Sequence, residues 1–225
     1  MELLLVRHAQ PEWDRQDIAQ VDPGLTAIGH EQARRVADRL ATEAFDRVLV
    51  STATRAQETA IPIRALLAST PSLNRDWLHE IHMPGSWQGT PSQEVNRALR
   101  DARFRSRDEW WDGMPGGESF HDFHARVTIG LRAELAEIGV ERGYDGLWTI
   151  PPDAPRLLCV AHAGTNSVVL GDLLGLEPEP WEWERFASDH ASVTVLKAKR
   201  IADGHIFSLQ SFSDVSHLPP DMVTG

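Results

Sequence analysis

Leu3-Leu4-Leu5-Val6-Arg7-His8 is the stretch from which the fold is read: four apolar residues without polar alternation, ending on a cation and an imidazole. A strand with one solvated face alternates, whereas an unbroken apolar run suits a strand covered on both faces. Val48-Leu49-Val50 and Leu157-Leu158-Cys159-Val160-Ala161 repeat the pattern further along the chain. Helical periodicity fills the gaps. Thr26 suits an N-cap for a helix over 27–42, with Ala33, Val36, Ala37 and Leu40 at helical spacing. A second helix is predicted over 55–68, perturbed by Pro62 unless its early turns accommodate the ring. Ser119, with Asp122 as capping-box partner, begins a third, and 164–174 forms a fourth. Strands alternating with helices predict a three-layer αβα sandwich with a mostly parallel central sheet.

Two more strand-like runs, 193–198 and 205–212, flank Asp203-Gly204, which suits a tight turn. Residues 80–117 break the rhythm with Gly, Pro and Trp, and read as a small cap inserted into one domain spanning 1–225, with Arg97–Asp108 as a short charged helix. The tail from Ser213 has no periodicity, and its prolines leave it free to fold over the site as a lid.

The 225 residues suffice for one sizeable α/β core, and 41% hydrophobic with 24% charged residues is ordinary for a globular chain. The formal net charge of −11 makes nucleic acid and anionic membrane poor partners. The single cysteine, Cys159, excludes an internal disulfide and reads as a core residue. No apolar run reaches the length of a secretion signal or a membrane span, so a cytoplasmic protein is expected.

In parallel sheets, ligands bind outside the carboxyl ends of the strands. Arg7-His8 ends the first strand, Ser51-Thr52-Ala53-Thr54-Arg55 follows the second, and His162-Ala163-Gly164-Thr165 follows the strand 157–161. Two arginines and two histidines therefore converge on one face. Taken singly, each histidine reads as a satisfied surface or core residue; dispersed groups converging together are hard to explain as packing. An arginine fork matches two phosphate oxygens and stays charged. A neutral imidazole, tethered through its other nitrogen, can attack phosphorus in line. The helix start after His162, including the backbone at Ala163, offers a further anion site. The set suits phosphoryl transfer.

Leu5-Val6-Arg7-His8-Ala9 resembles the Arg-His-Gly signature of the histidine phosphatase superfamily, which includes cofactor-dependent phosphoglycerate mutases. Four further segments are similar to that family in order and spacing: Leu25-Thr26 to Gln32-Ala33, Ser51 to Ala60, Leu78-His79-Glu80 with Gly85 to Gly89, and Pro115 to Ser119, before Val160 to Gly164 closes the series. The resemblance implies His8 as nucleophile, Arg7, Arg55 and His162 as phosphate ligands, and Glu80 as proton donor to the leaving group. Glu80 otherwise reads as a solvated carboxylate, and His82, two residues on, is the alternative acid. The implied enzyme is a phosphomonoester hydrolase that needs no metal or other cofactor and takes a small phosphorylated substrate.

The chain departs from the family pattern at several places. Ala9 and Ala163 replace glycines, and Gln10-Pro11 replaces Glu-Thr, leaving the Gln10 amide to reach phosphate. Asp14 stands where a neutral amide is common, so its carboxylate either points away from phosphate or meets a cationic part of the substrate. No arginine closely follows His162. His121 and His124 have metal-ligand spacing but no evident third ligand. Of the eight tryptophans, Trp87, Trp110, Trp111, Trp181 and Trp183 fall in the cap or loops, to line an aromatic pocket, pack the cap, or bury a homodimer face. A short insert favours a phosphatase over a mutase, which needs extra basic residues to hold a second phosphate. The rivals are a mutase and a non-catalytic phospho-ligand binding module.

Overall fold

A computed structural model describes residues 1–225. The apolar runs form β1 (Glu2–Arg7), β2 (Arg47–Ser51) and β6 (Leu157–Ala161), joined by β3 (Ser72–Arg75), β4 (Glu141–Arg142), β5 (Trp148–Thr149), β7 (Val193–Ile201) and β8 (Gly204–Asp214). They make one eight-stranded sheet in the order β3-β2-β6-β1-β7-β8-β5-β4. The block β3-β2-β6-β1 is parallel and the remaining pairings are antiparallel. Six of the eight strands thus run in one direction, with β5 and β7 opposed.

Alternate residues of the parallel strands feed two different cores. Leu3, Leu5, Leu49, Leu157 and Cys159 pack with Phe120, Phe123 and Leu131 of α5 (Phe120–Ala136) and Val168 and Val169 of α6 (Ala163–Leu174). Leu4, Val6, Val48, Val50 and Val160 pack with Val36 and Leu40 of α1 (Ala27–Leu40) and Ala60 and Ile63 of α2 (Thr54–Leu66). This is why the strands carry no polar alternation: period-2 geometry sends successive side chains to opposite, equally buried faces.

Helix starts follow the predicted chemistry. Thr26 Oγ1 accepts from Gly29 N at 2.9 Å, and Ser119 Oγ accepts from Asp122 N at 3.0 Å. A Cβ on Gly29 would lie 2.2 Å from the Gln10 carbonyl, so only glycine lets α1 approach the loop after β1. Several expectations need correction. Pro62 sits in the third turn, not the early ones, and α2 runs past it to Leu66 because Ala60 and Ile63 anchor both sides on the sheet. The charged helix at 97–108 is two helices, α3 (Ser92–Ala102) and α4 (Arg107–Trp111). Ser106 adopts an extended backbone and forms a full capping box with Glu109, which starts α4 afresh. The β7–β8 turn is Ala202-Asp203, since Gly204 already pairs with Ile201. The tail is anchored on α1, where Met222 and Thr224 accept hydrogen bonds from the Gln32 side chain at 2.7 and 3.0 Å. No helix is long and apolar enough to cross a membrane.

Candidate active site

The register of the parallel block sets the site. Arg7 pairs with Ala161, so His8 and His162 leave adjacent strands at the same level. Their ring centroids lie 5.0 Å apart, tilted by 59°, and both residues are buried. Arg55, in the first turn of α2, reaches the pair from the carboxyl end of β2, and its Nε donates to His8 Nε2 at 3.3 Å. The four side chains read from the strand ends meet.

His8 has a defined protonation pattern. Nδ1 lies 2.8 Å from the Ala9 carbonyl, which can only accept, so the ring hydrogen sits on Nδ1 and the lone pair on Nε2. Burial, followed by the charges of Arg55 and Arg7, holds the imidazole well below its ordinary pKa and therefore neutral. Ala9 is tied by its N–H to Thr59 Oγ1 of α2 at 3.0 Å, which fixes the loop that carries this ring. His162 is lowered in the same way, by burial and then by Arg55 and His8. Its Nε2 is 2.7 Å from Ser51 Oγ, whose hydroxyl has no other acceptor; the ring hydrogen is then on Nδ1, which is buried without a partner. Arg7 Nε is likewise buried and unpartnered. Such groups are rare in a folded chain, and here two donors of this kind lie in one cluster.

Arg7 and Arg55 are both lowered by burial, opposed chiefly by Glu80. Arg7 spends Nη1 on the Ser188 carbonyl and donates Nη2 to His190 Nε2 at 3.0 Å. Arg55 makes one long contact with Asp22, 3.4 Å, and stacks 4.7 Å from the Trp13 ring. Glu80 follows the short helical turn at Asp76–Leu78, after β3. Its two oxygens accept from Gly164 N at 2.9 Å and Ile81 N at 3.1 Å. A Cβ on Gly164 would stand 2.5 Å from Glu80 Oε1, so glycine at that position lets the carboxylate lie on the α6 N-terminus. Arg55, Glu80, Ala163 and Gly164 line a cavity of about 590 Å³.

Other candidates are placed elsewhere. The Gln10 side chain accepts from Thr26 Oγ1 at 2.7 Å, which ties its amide oxygen to the α1 N-cap. Asp14 is exposed and accepts from Asp17 N at 2.9 Å within a tight turn, away from the cavity. His82 lines the cavity but is paired with Glu118 at 3.0 Å and stacked on His79 at 4.4 Å. His121 stacks on Trp111 at 4.4 Å, and no group of three His, Cys, Asp or Glu side chains is arranged to hold a metal. Trp13, Trp110 and Trp183 line the cavity.

Two neighbours escape the strand-end rule. His190 lies 5.5 Å from the His8 ring, ahead of the antiparallel β7, whose amino end borders the carboxyl ends of the parallel strands. Burial and then Arg7 lower it to about 3. Its Nδ1 donates to Thr224 Oγ1 at 3.0 Å, so the chain's last residues brace the Arg7 tether. Asp22 accepts Thr54 N at 3.0 Å and caps α2 from a distant loop. The Asp189-His190-Ala191-Ser192 segment was visible before the strand-like run at 193, but only a search of strand amino ends would have selected it.

The family model described as histidine phosphatase superfamily (branch 1) matches residues 3–204. A glucosyl-3-phosphoglycerate phosphatase of Mycolicibacterium vanbaalenii is 32% identical over 80% of this chain and 76% of its own length. The phosphoglycerate mutase-like protein 4 of Arabidopsis thaliana is 30% identical over 96% and 86%. A mycobacterial glucosyl-3-phosphoglycerate phosphatase solved with VO3 superposes with a TM-score of 0.69 at 27% identity, covering 94% of this chain and 98% of that one. Together with the Arg7, His8, Arg55 and His162 cluster at the strand ends, these matches place the chain in the histidine phosphatase superfamily.

Proposed function

We propose that the protein hydrolyses small phosphomonoesters through a phosphohistidine on His8. The observation that carries the reading is a neutral, buried His8 whose Nε2 lone pair faces Arg55, beside two unpartnered buried donors, Arg7 Nε and His162 Nδ1. That arrangement matches a tetrahedral dianion and the charge that spreads over its equatorial oxygens during transfer. In the first step His8 Nε2 bonds to phosphorus as the bond to the leaving oxygen breaks, and Glu80 gives that oxygen its proton. In the second, Glu80 takes a proton from water, the water oxygen bonds to phosphorus, and the P–N bond breaks to free His8. The backbone N–H groups of Gly164 and Ile81 hold Glu80 in place for both steps. Residues 80–117 act as the cap that shapes the leaving-group side of one domain.

Relatives carry both phosphatase and mutase names. A mutase must hold a second anionic group, and the arginines of the outer cavity are Arg103 and Arg105. Arg103 pairs with Glu184 at 3.3 Å, and Arg105 donates to the Gly113 carbonyl at 2.6 Å. Hydrolysis is the better fit. With p-nitrophenyl phosphate between pH 5 and 8, wild-type turnover is expected to survive a chelator, and His8→Ala to lose at least about 10³-fold. Turnover by His8→Ala within tenfold of wild type would remove the nucleophile from the scheme.

A further inference from the structure

The cavity meets the phosphate cluster at Arg55, and one stretch of its wall is aromatic and apolar. Trp110 and Trp183 stand 6.0 Å apart between ring centroids, and Trp183 lies 5.8 Å from Phe120. Ile81, Met83 and Met114 continue the wall. Several charged groups among them have partners within the protein. Glu118 binds Arg126 at 2.8 Å and His82 at 3.0 Å, Arg103 pairs with Glu184, and Arg105 donates to Gly113. A sugar, glycerate or amino-acid leaving group would bring hydroxyls or a carboxylate against walls with few free partners, at a desolvation cost. A flat apolar group would bury its surface with no such loss, and methionine adapts to irregular shapes.

We infer that the preferred substrates are phosphate monoesters of bulky apolar alcohols, with the organic group held by Trp110, Trp183, Met83 and Met114. The inference rests on the phosphatase reading for turnover, and differs from the anionic sugar derivative that the names of the mycobacterial relatives describe.

Two measurements separate the inference from that reading. The first compares kcat/KM for 1-naphthyl and phenyl phosphate, whose leaving groups differ little in acidity, with that for 3-phosphoglycerate. The naphthyl ester is expected to lead phenyl by about tenfold, the gain from burying a second ring, and 3-phosphoglycerate by more. Trp110→Ser and Met114→Ser should each shrink the naphthyl advantage to about twofold or less; the second variant guards against misfolding of the first. A preference for 3-phosphoglycerate that disappears in Arg105→Met would overturn the inference and identify Arg105 as a carboxylate ligand. The second measurement titrates His8→Ala with the same esters by tryptophan fluorescence. If the wild type turns over no ester yet naphthyl phosphate binds the variant about tenfold more tightly than 3-phosphoglycerate, the apolar site stands and the hydrolase reading falls. Equal or weaker binding of the naphthyl ester overturns the inference.

Discussion

His8 remains neutral because burial, Arg55 and Arg7 all act in the same direction, while the Ala9 carbonyl fixes which nitrogen bears the hydrogen. A histidine with a lowered pKa stays unprotonated as pH falls through 6.5, so the Nε2 lone pair persists in mild acid. In an NMR titration of the ligand-free protein, the His8 ring signals are expected to hold constant from pH 8 to 5. A midpoint near 6.5 would mean that the ring is solvated and the site open. The same scale shows what the sequence could and could not disclose. Arg7, His8, Arg55 and His162 were legible because each stands where a buried strand ends or a helix begins. Gln10 is held through its amide oxygen by the Thr26 hydroxyl, a contact no strand-end reading anticipates, which leaves its Nε2 as the group able to donate. His190 was invisible to a rule that examines carboxyl ends, since β7 runs the other way.

Secondary elements reach the site through contacts far apart in sequence. The N-cap of α2 is Ala53, which has no side chain to accept a hydrogen bond, and Asp22 supplies one from a loop 32 residues earlier. Its other oxygen accepts from Thr54 Oγ1 at 2.7 Å, so the turn carrying Arg55 hangs on this carboxylate. Asp22→Ala is expected to cost about 1 kcal/mol in urea unfolding, the usual loss for a helix cap, with Asp22→Asn recovering most of it. Equal stability of Ala and wild type would show that the turn holds without its cap. Helix positions were readable from their apolar stripes and local caps such as Thr26 and Ser119. The cap from Asp22, the restart at Ser106 and the strand Ser72–Arg75 were not foreseen. A borrowed cap leaves no local mark, an N-cap inside a charged stretch resembles any other serine, and an edge strand need not be apolar.

Across the molecule, the site imposes a pH dependence on stability. His8, His162 and His190 are buried and kept from protonation when folded, but take up protons near pH 6.5 once unfolded. The unfolded state therefore binds more protons below pH 6.5, and stability falls as pH drops. Each group contributes up to about 1.4 kcal/mol of loss between pH 7.5 and 5.5, and the three together up to about 4 kcal/mol, against a typical 5–15 kcal/mol for a whole domain. Urea midpoints should fall clearly from pH 7.5 to 5.5; unchanged midpoints would contradict the neutral, buried state of the cluster. The three-layer arrangement itself was legible from the unbroken apolar runs, because only a sheet covered on both faces demands them. The antiparallel half was less so, as its short strands β4 and β5 hold two residues each.

The measurement that bears most directly on this account is capture of the covalent intermediate. A ³²P-labelled ester mixed with the enzyme and quenched in alkali is expected to leave label that is stable to base, labile to acid, and located on Nε2 of His8. Label on His162 or on a carboxylate, or phosphorus on Nδ1 of His8, would contradict it.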